Sequence, residues 1–143
     1  MARIRLFLIE ANRALIEATC ALLADNEQIE FVGAADSLEQ ARGALVRLRP
    51  DLVLLDLVQS DQMAFSMIRT IKRIPSAPHV VVMSLYDAPL YRNAALAAGA
   101  DGFISKADLF SELDPAIAAL RPRRRPITGA LQPSALAGAP RVA

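Results

Sequence analysis

The feature that most restricts this chain is an alternation repeated five times: a short apolar run, then a stretch with the spacing of an amphipathic helix. Ile4–Ile9 reads as a mostly buried strand. Over residues 12–25, Leu15, Ile16, Thr19, Leu22 and Leu23 recur at the i, i+3/i+4, i+7 spacing of one helix face. Residues 29–32 alternate as a second strand, and Asp36 or Ser37 can cap a helix carrying Leu38, Ala41, Leu45 and Leu48, ended by Pro50. Residues 52–55 are continuously apolar, as expected of a central parallel strand covered on both faces. A third helix is expected over about 61–73, with Ala64, Met67, Ile68 and Ile71 on one side, before a fourth strand at 80–83. Asp87 is placed to cap a helix with Pro89 in its first turn, and Gly99 to stop it. Residues 102–104 form a short fifth strand, and Asp108 opens a last helix bearing Leu109, Leu113, Ile117 and Leu120.

Five βα units joined by short connections imply an α/β, doubly wound parallel sheet with helices on its faces. Such sheets carry their sites outside the C-terminal strand ends. Those ends read Glu10, Asp56, Ser84 and Lys106. Singly each is ordinary: an acid that caps a helix, a loop serine, a solvated lysine. Around one rim they suit phosphoryl chemistry. Asp56 supplies a nucleophilic oxygen, a divalent ion between the acids neutralises the incoming group, and Lys106 and Ser84 hold its remaining oxygens. The chain uses arginine almost throughout and has two lysines, Lys72 and Lys106. A compact ammonium suits the second position as a point charge.

Charge divides the chain. Residues 1–120 hold 11 basic and 15 acidic side chains, whereas 121–143 hold five arginines and no acid. The overall +1 is therefore the sum of an acidic domain and a basic tail. A single cysteine, Cys20, excludes an internal disulfide, and a single histidine, His79, leaves no Cys/His set for structural zinc. Arg3 and Arg5 before an apolar run imitate a signal peptide, but Glu10, Asn12, Arg13 and Glu17 interrupt it. No stretch approaches the roughly 20 apolar residues needed to span a bilayer. A cytoplasmic protein without a membrane partner is expected.

Three segments resemble the receiver domain of bacterial two-component response regulators: Arg-Pro-Asp-Leu-Val-Leu-Leu-Asp-Leu (49–57), Val-Val-Met-Ser-Leu-Tyr-Asp (81–87) and Ala-Gly-Ala-Asp-Gly-Phe-Ile-Ser-Lys (98–106). The wording is most similar to receivers that precede a helix-turn-helix output domain. The resemblance implies a flavodoxin-like fold with strand order 2-1-3-4-5. It implies Asp56 as phosphoacceptor, Ser84 as switch hydroxyl, Lys106 as the family's lysine and Phe103 as the aromatic that swings inward when the site is occupied. It also implies Mg²⁺ held by Glu10, Asp56 and the Val58 carbonyl.

The chain departs from that pattern in four places. The family's adjacent acidic pair is here Glu10-Ala11, so the second carboxylate, the direct metal ligand, is missing. Mg²⁺ binds through one or two carboxylates and keeps several waters, so the loss implies a weakened site. After the phosphoacceptor, Ser60 and Ala64 stand where Pro and Gly are usual, and Leu85 is bulky enough to narrow access to Asp56.

Residues 1–120 are thus expected to form the receiver and 121–143 a basic, Pro/Ala/Gly-rich linker-like tail. The leading expectation is a non-enzymatic, single-domain response regulator. It would take a phosphoryl group on Asp56 from a sensor histidine kinase or phosphotransfer protein. It would signal through the helix 4/strand 5/helix 5 face, with a homodimer near Tyr91 and Phe103 as a further expectation, and without sequence-specific DNA binding of its own. The competing readings are a phosphorylation-independent interaction module, favoured by Ala11, Ser60 and Leu85, and the receiver part of a truncated DNA-binding regulator.

Overall fold

The computed structural model describes residues 3–57, 62–85 and 89–120, without the side chains of 62–64 and Phe110. Its elements alternate throughout: β1 (Ile4–Ile9), α1 (Arg13–Ala24), β2 (Ile29–Ala35), α2 (Leu38–Leu48), β3 (Leu52–Leu57), α3 (Gln62–Lys72), β4 (His79–Ser84), α4 (Pro89–Ala97), β5 (Gly102–Ser105) and α5 (Leu109–Ala119), the last entered through a 3-10 turn at Lys106–Asp108. All strand pairs are parallel, in the order β2-β1-β3-β4-β5. The expected α/β doubly wound fold and its strand order are both present.

Strand parity sorts the core into two layers. Phe7, Ile9, Val53, Leu55, Leu57, Val80, Val82 and Phe103 face α2, α3 and α4. The alternate residues Leu6, Leu8, Leu52, Leu54, Val81, Met83 and Ile104 face α1 and α5. β3 is buried at every position, which explains why its sequence is continuously apolar up to Asp56.

Local chemistry sets the helix ends. The Asn12 side chain accepts from the Leu15 amide at 3.1 Å and caps α1. Of the two proposed caps for α2, Ser37 serves, accepting from the Gln40 amide at 3.2 Å. The α2 exit is left-handed at Arg49 (φ 50°), directly before Pro50. Gly99 has φ 115° just beyond α4, a conformation that favours glycine. In β2, the pairing with β1 shifts register between Leu6 and Phe7, and a Cβ at Gly33 would stand 3.0 Å from the Phe7 ring. The proposed Asp87 cap lies outside the described residues. Asp108 is at the start of α5 but makes no side-chain capping bond; its carbonyl instead accepts from the Ser111 hydroxyl at 3.2 Å.

Candidate functional site

Glu10 follows β1 and Asp56 lies near the end of β3, and because these strands are neighbours the two carboxylates come together at the C-terminal edge. Both continue the strand parity that faces α1 and α5. Both are buried, at 3% and 9% exposure. Lys106, in the turn after β5, sends its Nζ to the same place: 2.5 Å from Asp56 Oδ1 and 3.2 Å from Glu10 Oε1. Glu10 Oε2 also accepts from the Asn12 amide at 3.1 Å. One ammonium thus serves two buried carboxylates.

The electrostatic result is an Asp56 that ionises reluctantly. Burial pushes its carboxyl up to about 6, an effect that the Lys106 ammonium opposes and the neighbouring Glu10 reinforces. Desolvation and a like charge outweigh the favourable partner. Two anionic oxygens against one ammonium leave the pocket short of positive charge, and hard carboxylate oxygens suit a divalent cation that keeps most of its waters. Glu10 and Asp56 therefore fit such an ion. Ala11 adds no side-chain donor, and no group of three Asp, Glu, His or Cys residues able to hold a metal occurs among the described residues. The third proposed metal contact, the Val58 carbonyl, lies outside the described residues, as does Ser60.

The switch pair belongs to the other layer by parity. Ser84 ends β4, one register step beyond the residue that faces Asp56: Asp56 pairs with Met83, and Leu57 with Ser84. It is fully buried. Phe103 is already inward, at 7% exposure, and the Arg92 guanidinium of α4 lies 4.8 Å from its ring centroid. Arg92 Nη1 also reaches the Phe103 carbonyl at 3.5 Å. Arg92 has no sequence signature, since an arginine on an exposed helix face is unremarkable until the fold sets it over a ring. Leu85 is 72% exposed, so its side chain stands in solvent rather than packing down over the buried Asp56.

The other lysine is engaged elsewhere. Lys72 Nζ sits 2.9 Å from Asp101 Oδ2 and 3.0 Å from the Pro78 carbonyl, at the N-terminal edge of the sheet. The same carboxylate oxygen accepts from the Val80 amide at 2.8 Å.

A five-stranded 2-1-3-4-5 sheet with a buried acid pair and a lysine at its C-terminal edge defines a receiver. The chain belongs to the response regulator receiver domain family, whose model matches residues 6–118. Among curated proteins it is similar to the uncharacterized transcriptional regulatory protein YvfU of Bacillus subtilis, 28% identical over 114 residues that make up 80% of this chain and 57% of that protein. It is also similar to the sensory transduction protein LytT of Bacillus cereus, 35% identical over 66 residues, 46% of this chain and 27% of that one. The chain thus spans little more than half of YvfU and about a quarter of LytT. Among solved structures, the signal receiver domain of the putative response regulator NarL from Mycobacterium tuberculosis superposes with a TM-score of 0.73 at 22% identity, covering 82% of this chain and 95% of that one. That likeness concerns the fold.

Proposed function

We propose that this chain is the phosphoacceptor of a two-component signalling pathway, taking a phosphoryl group on Asp56 from the phosphohistidine of a sensor kinase or phosphotransfer protein. The observation that carries the reading is the convergence of Asp56, Glu10 and Lys106 in one buried cluster at the strand ends. In the transfer, an ionised Asp56 oxygen bonds to phosphorus as the P–N bond to histidine breaks, and the imidazole nitrogen keeps the electron pair. Lys106 then exchanges its hold on the carboxylate for a hold on a phosphoryl oxygen. Glu10, Asp56 and the Val58 carbonyl would hold Mg²⁺ weakly, and that ion would supply charge neutralisation to the phosphoryl oxygens.

The acyl phosphate carries about −1.5 to −2 charges where the ionised Asp56 carried about −1, in a pocket already short of positive charge. Ser84 and Phe103 carry that change to the face made by α4, β5 and α5, where a downstream partner or a second copy through the surface near Tyr91 and Phe103 receives it. In this reading residues 1–120 act as the receiver, 121–143 as a basic extension, and the protein works in the cytoplasm as an acceptor rather than an enzyme. No helix among the described residues is long and apolar enough to cross a membrane.

The test is intact-mass spectrometry after incubation with Mg²⁺ and a small phosphodonor. A single phosphoryl adduct on wild type that is absent from Asp56→Asn is expected. No adduct on wild type from either the small donor or the kinase overturns the proposal and favours a phosphorylation-independent interaction module, the reading that Ala11 suggests.

A further inference from the structure

At the end of the molecule away from Asp56, a groove of about 680 Å³ runs between the C-terminal ends of α1 and α5. Its floor is apolar, formed with Leu22, Leu113 and Ile117, and its rim is acidic, with Asp25, Glu27 and Asp114 exposed. Among the described residues, no lysine or arginine lines it. Asp114 accepts a hydrogen bond from the Asn26 side-chain amide at 2.8 Å across the groove, a neutral partner that leaves its charge uncancelled. The surface asks for an occupant that combines cations with small apolar groups.

We infer that this groove docks the chain's own Arg-rich segment, residues 121–127. Three observations select it over other basic peptides. The segment reads Arg-Pro-Arg-Arg-Arg-Pro-Ile, with four cations for the rim and Pro122, Pro126 and Ile127 for the floor. It begins immediately after Leu120, and Ala118, three residues before Arg121, already lines the groove. Three residues reach at most about 10 Å, so the first arginine starts beside the rim. A ligand tethered this closely meets its site at an effective concentration in the millimolar range, so contacts too weak to hold a free peptide suffice. The groove therefore serves as an intramolecular seat for the basic segment, joining the net −4 domain to the net +5 tail.

Limited trypsinolysis of the full chain tests this. Trypsin does not cut before proline, so cleavage in the segment reports Arg123 and Arg124. Cleavage there should be about fivefold faster in the triple variant Asp25→Asn/Glu27→Gln/Asp114→Asn than in wild type, as expected for a few screened ion pairs. Wild type should lose its protection in about 1 M salt, where screening acts within about 3 Å. A second variant, Arg123→Ser/Arg124→Ser, leaves the folded domain untouched and is read by amide chemical shifts. Its changes should cluster at residues 22–28 and 113–118. Equal cleavage rates in wild type and triple variant overturn the inference, as do shifts scattered elsewhere. Protection that grows with protein concentration also overturns it, because the occupant is then a second copy's segment.

Discussion

The two lysines of this chain each pair with an aspartate, at opposite ends of the same sheet, and the two aspartates respond in opposite directions. At the N-terminal edge, burial works against Asp101, but hydrogen bonds from Lys72 and the Val80 amide, with the charges of Lys72 and His79, hold its carboxyl below the ordinary range. At the C-terminal edge, Asp56 also has a lysine, yet burial and Glu10 raise it to about 6. The difference lies in how many anions share the cation and how many donors each carboxylate receives. Asp101 has its ammonium, an amide and His79 Nδ1 at 3.6 Å, whereas Lys106 is divided between Asp56 and Glu10. One end is a satisfied clamp, and the other is an unbalanced pocket with room in its charge balance for a cation.

The largest expected effect falls on Lys106. Lys106→Gln should slow adduct formation on Asp56 by about a hundredfold, the scale for removing a charge aimed at a developing anion. A time course of intact mass measures it; a rate within threefold of wild type would place the two lysines on the same structural footing.

Next comes the clamp. Asp101→Ala removes the hydrogen bonds of Lys72 and the Val80 amide and should cost about 2 kcal/mol in urea unfolding at pH 7. Because Asp101 is lowered on folding, its stabilisation is complete above the unfolded carboxylate range near 4. It is lost as pH falls through the lower folded value, so wild type and variant should converge in strong acid.

Asp56→Asn should act with the opposite sign. The native state takes up the Asp56 proton more readily than the unfolded chain, so in metal-free protein this group's contribution falls as pH rises from about 4 to about 6. At pH 7 the neutral variant should be more stable than wild type by about 1 kcal/mol, the part of the shift that survives solvent screening. Below about pH 4 the advantage should vanish. Equal stability at both pH values would erase the contrast between the two ends.

The smallest effect is expected between them, on β5 itself, which begins after Asp101 and ends before Lys106. Arg92→Ala removes the cation from the Phe103 ring and should cost about 0.5 kcal/mol. It should also loosen the ring, read as faster exchange of the Phe103 amide. Unchanged exchange would remove Arg92 from the set of residues that hold the aromatic inward.

Much of the architecture was legible from periodicity. The apolar run at 52–55 and the helical spacing of Leu15, Ile16, Thr19 and Leu22 record burial directly, because a side chain's distance from the core repeats with the geometry of its own element. The same pattern located Glu10, Asp56, Ser84 and Lys106 at strand ends, and the structure brings three of them into contact. Legibility stopped at choices between adjacent residues, such as Ser37 over Asp36 as a cap, where both side chains satisfy the local rule. It also stopped at Arg92, whose partner is eleven residues away on another element.

By itself, then, the sequence determined the alternation of strands and helices, the parallel sheet that follows from it, and the residues standing at each strand's end. Periodicity is a local property, and these are its consequences. Only the tertiary structure decided what those residues do to one another. Lys106 and Glu10 are 96 positions apart, and Lys72 and Asp101 are 29 apart. The crossover connections bring them together only once the sheet has formed. Whether a lysine meets one carboxylate or two, and whether an aspartate is held down or pushed up, depends on that long-range closure.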